Sequence, residues 1–178
     1  MKKIDVGDNL AILILIALIC VTSFCKHAIK AHNQPEANVE VVCVPDAYKT
    51  ITMLDEYGAE EPTREKVLFV MGELGIDHIH IAYAQMALES GHFSSNLSKK
   101  NNNYFGMKQP SKRSTVSLGK RNGYASYKNW AWSVFDYALW QREMAKELSE
   151  DEYLSFIGSI YAEDTKYTDK IKTIVETL

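Results

Sequence analysis

Glu89 closes an apolar run, Ile81-Ala82-Tyr83-Ala84-Gln85-Met86-Ala87-Leu88, and Ser90-Gly91 follow it directly. A carboxyl group at the greasy end of a helix loses hydration, and the negative pole of the helix dipole disfavours its ionised form. Both effects raise its pKa and suit it to proton donation as a general acid. The next 46 residues, Ser90 to Phe135, hold no Asp or Glu but carry eight cations: Lys99, Lys100, Lys108, Lys112, Arg113, Lys120, Arg121 and Lys128. The net charge of the chain is −3, so the residues outside that stretch sum to −11. A solitary acid facing cationic, aromatic loops points to work on an anionic polymer.

The positive charge is local, which argues against a general nucleic-acid binder. Cys20, Cys25 and Cys43 all lie in the first quarter of the chain, and none has a His at metal-ligand spacing. The later part therefore has neither a thiol nucleophile nor a disulfide framework. His78 and His80 sit two apart near a helix start without metal partners and read as structural. No metal and no cofactor is expected.

The elements that position Glu89 follow from caps and periodicity. Lys2 and Lys3 precede the apolar stretch Leu10 to Val21. Its length suits a signal-peptide core of about 7–15 residues and is short of the ~20 that span a bilayer. Residues 1–25 are thus either a cleaved signal or a short membrane anchor through 10–24. Both readings export the rest to the cell envelope, at the periplasm or cell surface. Residues 26–62 hold three of four prolines and scattered acids and read as an extended linker, with a short strand at Val39–Val44.

A folded domain is expected over 63–178. Thr63 caps a helix with Val67, Leu68, Val70, Met71 and Leu74 as its buried stripe, and Gly75 ends it. Asp77 caps the next, which runs to about Ser90 and places Ala82, Gln85, Met86 and Glu89 on one face. Phe105–Lys108, Thr115–Leu118 and Tyr124–Tyr127 read as three strands, with Asn122-Gly123 as a turn. Asn129 caps a helix to about Leu148, Ser149 and Glu152 form a capping box, and Thr168 caps a last helix bearing Ile171, Ile174, Val175 and Leu178. The class is α+β: a mostly helical domain with a small antiparallel sheet flanking a cleft.

Four segments in order carry a resemblance: Ala84-Gln85-Met86-Ala87-Leu88-Glu89-Ser90-Gly91; Asn102-Asn103-Tyr104-Phe105-Gly106-Met107-Lys108; Tyr124-Ala125-Ser126-Tyr127 with Ser133 and Asp136-Tyr137; and Tyr161-Ala162-Glu163-Asp164 with Tyr167. Over roughly Thr63 to Leu178 the chain resembles the glucosaminidase domain of bacterial autolysins, glycoside hydrolase family 73, of the lysozyme-like superfamily. The resemblance implies Glu89 as the catalytic acid and Tyr161 near the scissile sugar. It implies that Asn103 and Phe105 line the cleft wall. Asp164 matches the acid of the fourth motif and joins the substrate-binding set in an architectural role. Glu163 stands where the family often has Thr.

Residue chemistry extends this picture. Tyr104, Tyr124, Tyr127 and Trp130 offer flat faces for sugar rings. Lys108, Lys112, Arg113, Lys120 and Arg121 could hold the carboxylates of peptidoglycan stem peptides. A glycosidase ordinarily places a second carboxylate about 5–9 Å from the first, yet the expected sheet region has none. Either the substrate's N-acetyl group attacks the anomeric carbon, or polar groups or a distant acid such as Asp136 or Asp164 position a water. The leading reading is an endo-β-N-acetylglucosaminidase acting on peptidoglycan glycan strands. The alternatives are a lytic transglycosylase of the same fold and a non-catalytic cell-wall glycan-binding protein. Partners are the glycan strands, and the membrane if the leader is retained, with no nucleic acid.

Overall fold

A computed structural model describes residues 44–161 and 164–178. The chain divides into two compact units, residues 1–53 and 54–178. Helix α1, Val44–Gly58, crosses the boundary. This corrects part of the expected linker. Ala47, Ile51 and Leu54 recur at i, i+4 and i+7, and the one proline of the segment, Pro45, stands in the first turn, where no intrahelical donor is lost. The leader and residues 39–43 of the expected strand lie outside the described residues, and Val44 opens α1. Among the described residues no helix is long and apolar enough to cross a membrane.

Helix α2, Arg64–Glu73, begins where Thr63 accepts a hydrogen bond from the Lys66 amide. It buries Val67, Val70 and Met71, while Leu68 is only half-buried. Helix α3, Ile79–Glu89, buries every residue from Ile81 to Ala87. It is surrounded on all sides, so its apolar content is not a stripe but a whole cylinder. Asp77 does not cap it. Both backbone polar groups of Asp77 are taken by the Gln141 side chain, at 2.8 and 2.9 Å, and His78 occupies the cap position in a left-handed conformation. His78 accordingly has a structural place, bonded to the Leu148 carbonyl and stacked on Tyr153.

Helix α4, Asn96–Asn101, is followed by a long loop and then by strands β1, Gly119–Arg121, and β2, Tyr124–Ser126. They pair antiparallel through Asn122-Gly123, with Lys120 opposite Ala125. Both turn residues have positive φ, as a tight hairpin requires. Among the described residues the sheet has these two strands, not the three expected. Phe105–Lys108 and Thr115–Leu118 are irregular: they meet β2 through isolated backbone bonds, from the Ala125 amide to the Met107 carbonyl and from the Leu118 amide to the Ser126 carbonyl, and side chains supply further partners. The Asn103 amide accepts from the Met107 amide and donates to the Met107 and Ala125 carbonyls. The Asp136 carboxylate accepts from the Val116 amide.

Helix α5, Trp130–Met144, starts at Asn129, whose side chain accepts from the Trp132 amide, and buries Trp130 through Gln141. It stops short of the expected Leu148. Helix α6, Glu150–Tyr161, has the expected capping box: Glu152 accepts from the Ser149 amide and Ser149 from the Glu152 amide. Helix α7, Tyr167–Val175, starts one residue before the expected Thr168 cap. Asp164 forms its entry turn instead, accepting from the Lys166 amide through its side chain and from the Tyr167 amide through its carbonyl. Among the described residues the most extensive helix packing joins α3 to α7. Gly158 lets α6 approach α7 as well, since a Cβ there would lie 2.7 Å from the Thr168 methyl. The lysozyme-like α+β arrangement is therefore present, with the small sheet beside the helices.

Asp136 ties the irregular loop to α5. Its fully buried carboxylate takes Arg113 at 2.7 and 3.3 Å, the Thr115 hydroxyl at 2.6 Å, the Val116 amide at 3.0 Å and the Tyr127 hydroxyl at 2.8 Å. Removing one partner of a buried ion pair strands the other, at about 3–5 kcal/mol. Asp136→Ala should lower stability by that amount in urea unfolding, whereas truncating the exposed ion pair through Lys128→Ala should change it by less than about 1 kcal/mol.

Candidate active site

Glu89 is the last residue of α3, and the chain turns sharply behind it. The Ser90 hydroxyl donates to the Met86 carbonyl at 2.7 Å and accepts from the Phe93 amide at 2.9 Å. Gly91, His92 and Phe93 all have positive φ. The helix therefore ends abruptly, and the Glu89 side chain enters a cleft of about 710 Å³ between the helices and the sheet lobe.

The two carboxyl oxygens of Glu89 have different neighbours. Oε1 accepts a hydrogen bond from the Tyr167 hydroxyl at 2.9 Å. Oε2 lies against the backbone of Gly106, where a built Cβ would stand 3.2 Å away. Gly106 also has φ +63°. A side chain there would be strained and would crowd the acid, so glycine is favoured twice over. Burial raises the Glu89 pKa above the ordinary 4.5, and the Tyr167 bond acts in the opposite direction. The net direction is upward, which favours the protonated form.

The sequence-predicted residues separate into two groups. Glu89, Asn103, Tyr124 and Asp164 line the cleft. Asn103 is 3% exposed, and its amide is engaged by the loop as described above. Phe105 does not line the cleft wall: it is fully buried and stacks on Tyr137 at 3.9 Å. Tyr104 is also buried, tilted against Phe93, and so presents no face to a sugar. Tyr127 bonds Asp136, and Trp130 donates from its indole to the Glu60 carbonyl; both are buried. Aromatic spacing did not reveal which rings face inward. Tyr161 ends α6, but its side chain lies outside the described residues.

Two residues at the acid were not singled out by sequence reasoning as site residues: Tyr167 and Gly106. Each stood inside a motif, the fourth and the second, and that placement was the signal available. The other charged groups of the lining are largely paired. Asp164 accepts from Lys170 at 2.6 Å, and that bond lowers its pKa. Arg113 pairs with buried Asp136. Among the described residues no cluster of His, Cys, Asp and Glu could hold a metal ion.

Because the folded pKa of Glu89 is raised, folding favours its protonated form. Its ionisation therefore lowers stability as pH rises from about the ordinary 4.5 through the folded value. Glu89→Gln should raise the thermal midpoint at pH 7 and leave it nearly unchanged at pH 4. Carboxyl NMR titration should place Glu89 above its ordinary value, and higher again in Tyr167→Phe, which loses the bond that opposes burial. A midpoint that fell in Tyr167→Phe would contradict this balance.

Residues 66–178 match the family model of the Glucosaminidase domain, described as mannosyl-glycoprotein endo-beta-N-acetylglucosaminidase. No curated protein and no solved structure matches the chain.

Proposed function

The chain belongs to the glucosaminidase family, and on that footing we propose that it hydrolyses the β-1,4 bond after N-acetylglucosamine in cell-wall peptidoglycan, with Glu89 as general acid. The family is one of glycan hydrolases, and its description names activity of the endo-β-N-acetylglucosaminidase type. The observation that carries the reading is the placement of Glu89: a half-buried carboxyl of raised pKa, at a helix end, in an open cleft.

The proposed reaction begins with a protonated Glu89. Tyr167 occupies Oε1 as donor, which leaves Oε2 to carry the proton and give it to the glycosidic oxygen. As the carbon–oxygen bond breaks, the anomeric carbon takes on oxocarbenium character and needs a nucleophile. Asp136 is buried behind Arg113 with both oxygens bonded, and Asp164 is held by Lys170. Neither is a ready nucleophile. The carbonyl oxygen of the substrate's own 2-acetamido group supplies the electron pair, forming a cyclic intermediate whose positive charge is shared with nitrogen. Water then opens that ring, and Glu89, now ionised, takes the water's proton. A nucleophile held in the substrate offsets a missing side chain through its effective molarity. Tyr161, which the family resemblance puts near the scissile sugar, steadies the acetamido group in this scheme. The leader, by the same reading, exports the enzyme to the envelope and anchors it there if retained.

Mass spectrometry of glycan released from purified sacculi tests the reading. The expected products carry reducing N-acetylglucosamine ends, and Glu89→Gln should lower their rate of formation by about 10²–10⁴-fold. Products with 1,6-anhydro-muramyl ends would indicate a transglycosylase instead. Retained binding without products would indicate a glycan-binding protein.

A further inference from the structure

Resting on the reading above, we propose that Lys108 and Tyr124 form a subsite for a carboxylate group on the glycan, so that the cleft selects carboxylate-bearing strands over neutral ones. The Lys108 ammonium lies 3.5 Å from the centroid of the Tyr124 ring, and both residues line the cleft. Among the described residues of the lining three are cations, and two are committed: Arg113 to Asp136 and Lys170 to Asp164. Among the described residues no carboxylate pairs with Lys108. The absence of acids from Ser90 to Phe135 removes the local candidates. Among the described cations of the lining, Lys108 is the one with no ion pair.

Position supports the assignment. Lys108 stands two residues beyond Gly106, whose backbone touches Glu89, so its Cα is within about 7 Å of that of Gly106 along the chain. A carboxylate on a sugar or stem peptide next to the cleaved bond falls within reach of a lysine side chain there. The ring beneath the ammonium holds the cation in the cleft by a cation–π contact and offers an apolar face beside it. Lysine suits this task as a point charge that meets a carboxylate from several directions.

The test uses soluble glycan from bacterial sacculi, as isolated and after amidation of its carboxyl groups. With the full-length chain, the native glycan should show a KM about tenfold lower than the amidated one, a difference in scale with one partly exposed charge-assisted contact. That preference should shrink as salt rises. In Lys108→Met, which keeps the stem without the charge, the ratio should collapse towards one through KM and not kcat. Lys108→Arg should restore most of it. A preference that survives in Lys108→Met, or its absence in the unaltered chain, overturns the proposal. Calorimetric affinities for the same two glycans decide the role of Lys108 independently of cleavage. A Lys108-dependent preference in a chain that cuts neither glycan would refute the hydrolase reading and leave the subsite standing. Unchanged melting curves separate loss of the contact from loss of the fold.

Discussion

The buried carboxylate of Asp136 is the constraint on which the sheet side of the cleft depends. It is the first acid after a 46-residue stretch that has none, and it gathers that stretch onto α5. A charge taken out of water is unfavourable unless it is paired and its lone pairs are filled. Here a guanidinium, two hydroxyls and an amide do so. Asn103 performs a similar task at the other end of the loop, where its amide bonds both backbone polar groups of Met107 beside the Ala125 amide that also reaches the Met107 carbonyl. A two-stranded hairpin is marginal by itself. These two polar side chains, bonded to named backbone groups, give the lobe an order that its short ladder could not.

The helical side of the cleft is ordered by apolar burial. Helix α3 is enclosed over Ile81–Ala87, and burying each large aliphatic side chain contributes roughly 1.5–3 kcal/mol. Glu89 is thus the end of a rigid rod, not a group on a loop, and α7 packs along the same helix and brings Tyr167 to it. The acid sits between opposed influences. Burial raises its pKa, and a phenol donor holds that rise in check. Without the donor the carboxyl would hold its proton more tightly and transfer it less readily; without burial it would lose the proton to water at a lower pH.

Much of this was legible in the sequence wherever the cause is local. Thr63, Asn129 and the Ser149–Glu152 pair cap the helices they were expected to cap, because an N-cap needs only a short polar side chain and the next three residues. Glu89 was legible because a lone acid after a long apolar run is rare. What failed is non-local. Asp77 looks like a cap, yet Gln141, 64 residues away, claims its backbone. Phe105–Lys108 alternates like a strand, yet Asn103 and the core position of Phe105 decide its path. Tyr104, Tyr127 and Trp130 have the composition of a sugar platform but sit in the core, and side-chain type alone does not say which way a ring points. Tyr167 meets Glu89 only because α7 folds back on α3, which no spacing rule in either segment encodes.

The charge distribution joins these features. A carboxyl is kept protonated by burial or by negative charge beside it, whereas a cation nearby works against it by stabilising the ionised form. The fold resolves this by pairing. Arg113 and Lys170 each meet a carboxylate, which mutes their field at Glu89. Lys108 instead lies over the negative face of Tyr124, a neutral partner that holds the ammonium without discharging it. Its charge stays available to a ligand, while the acid's own environment is governed by burial and by Tyr167. An acid-free loop is therefore more than a basic surface: among the described residues of the lining it leaves the Lys108 charge without a carboxylate partner, beside an acid whose pKa burial raises.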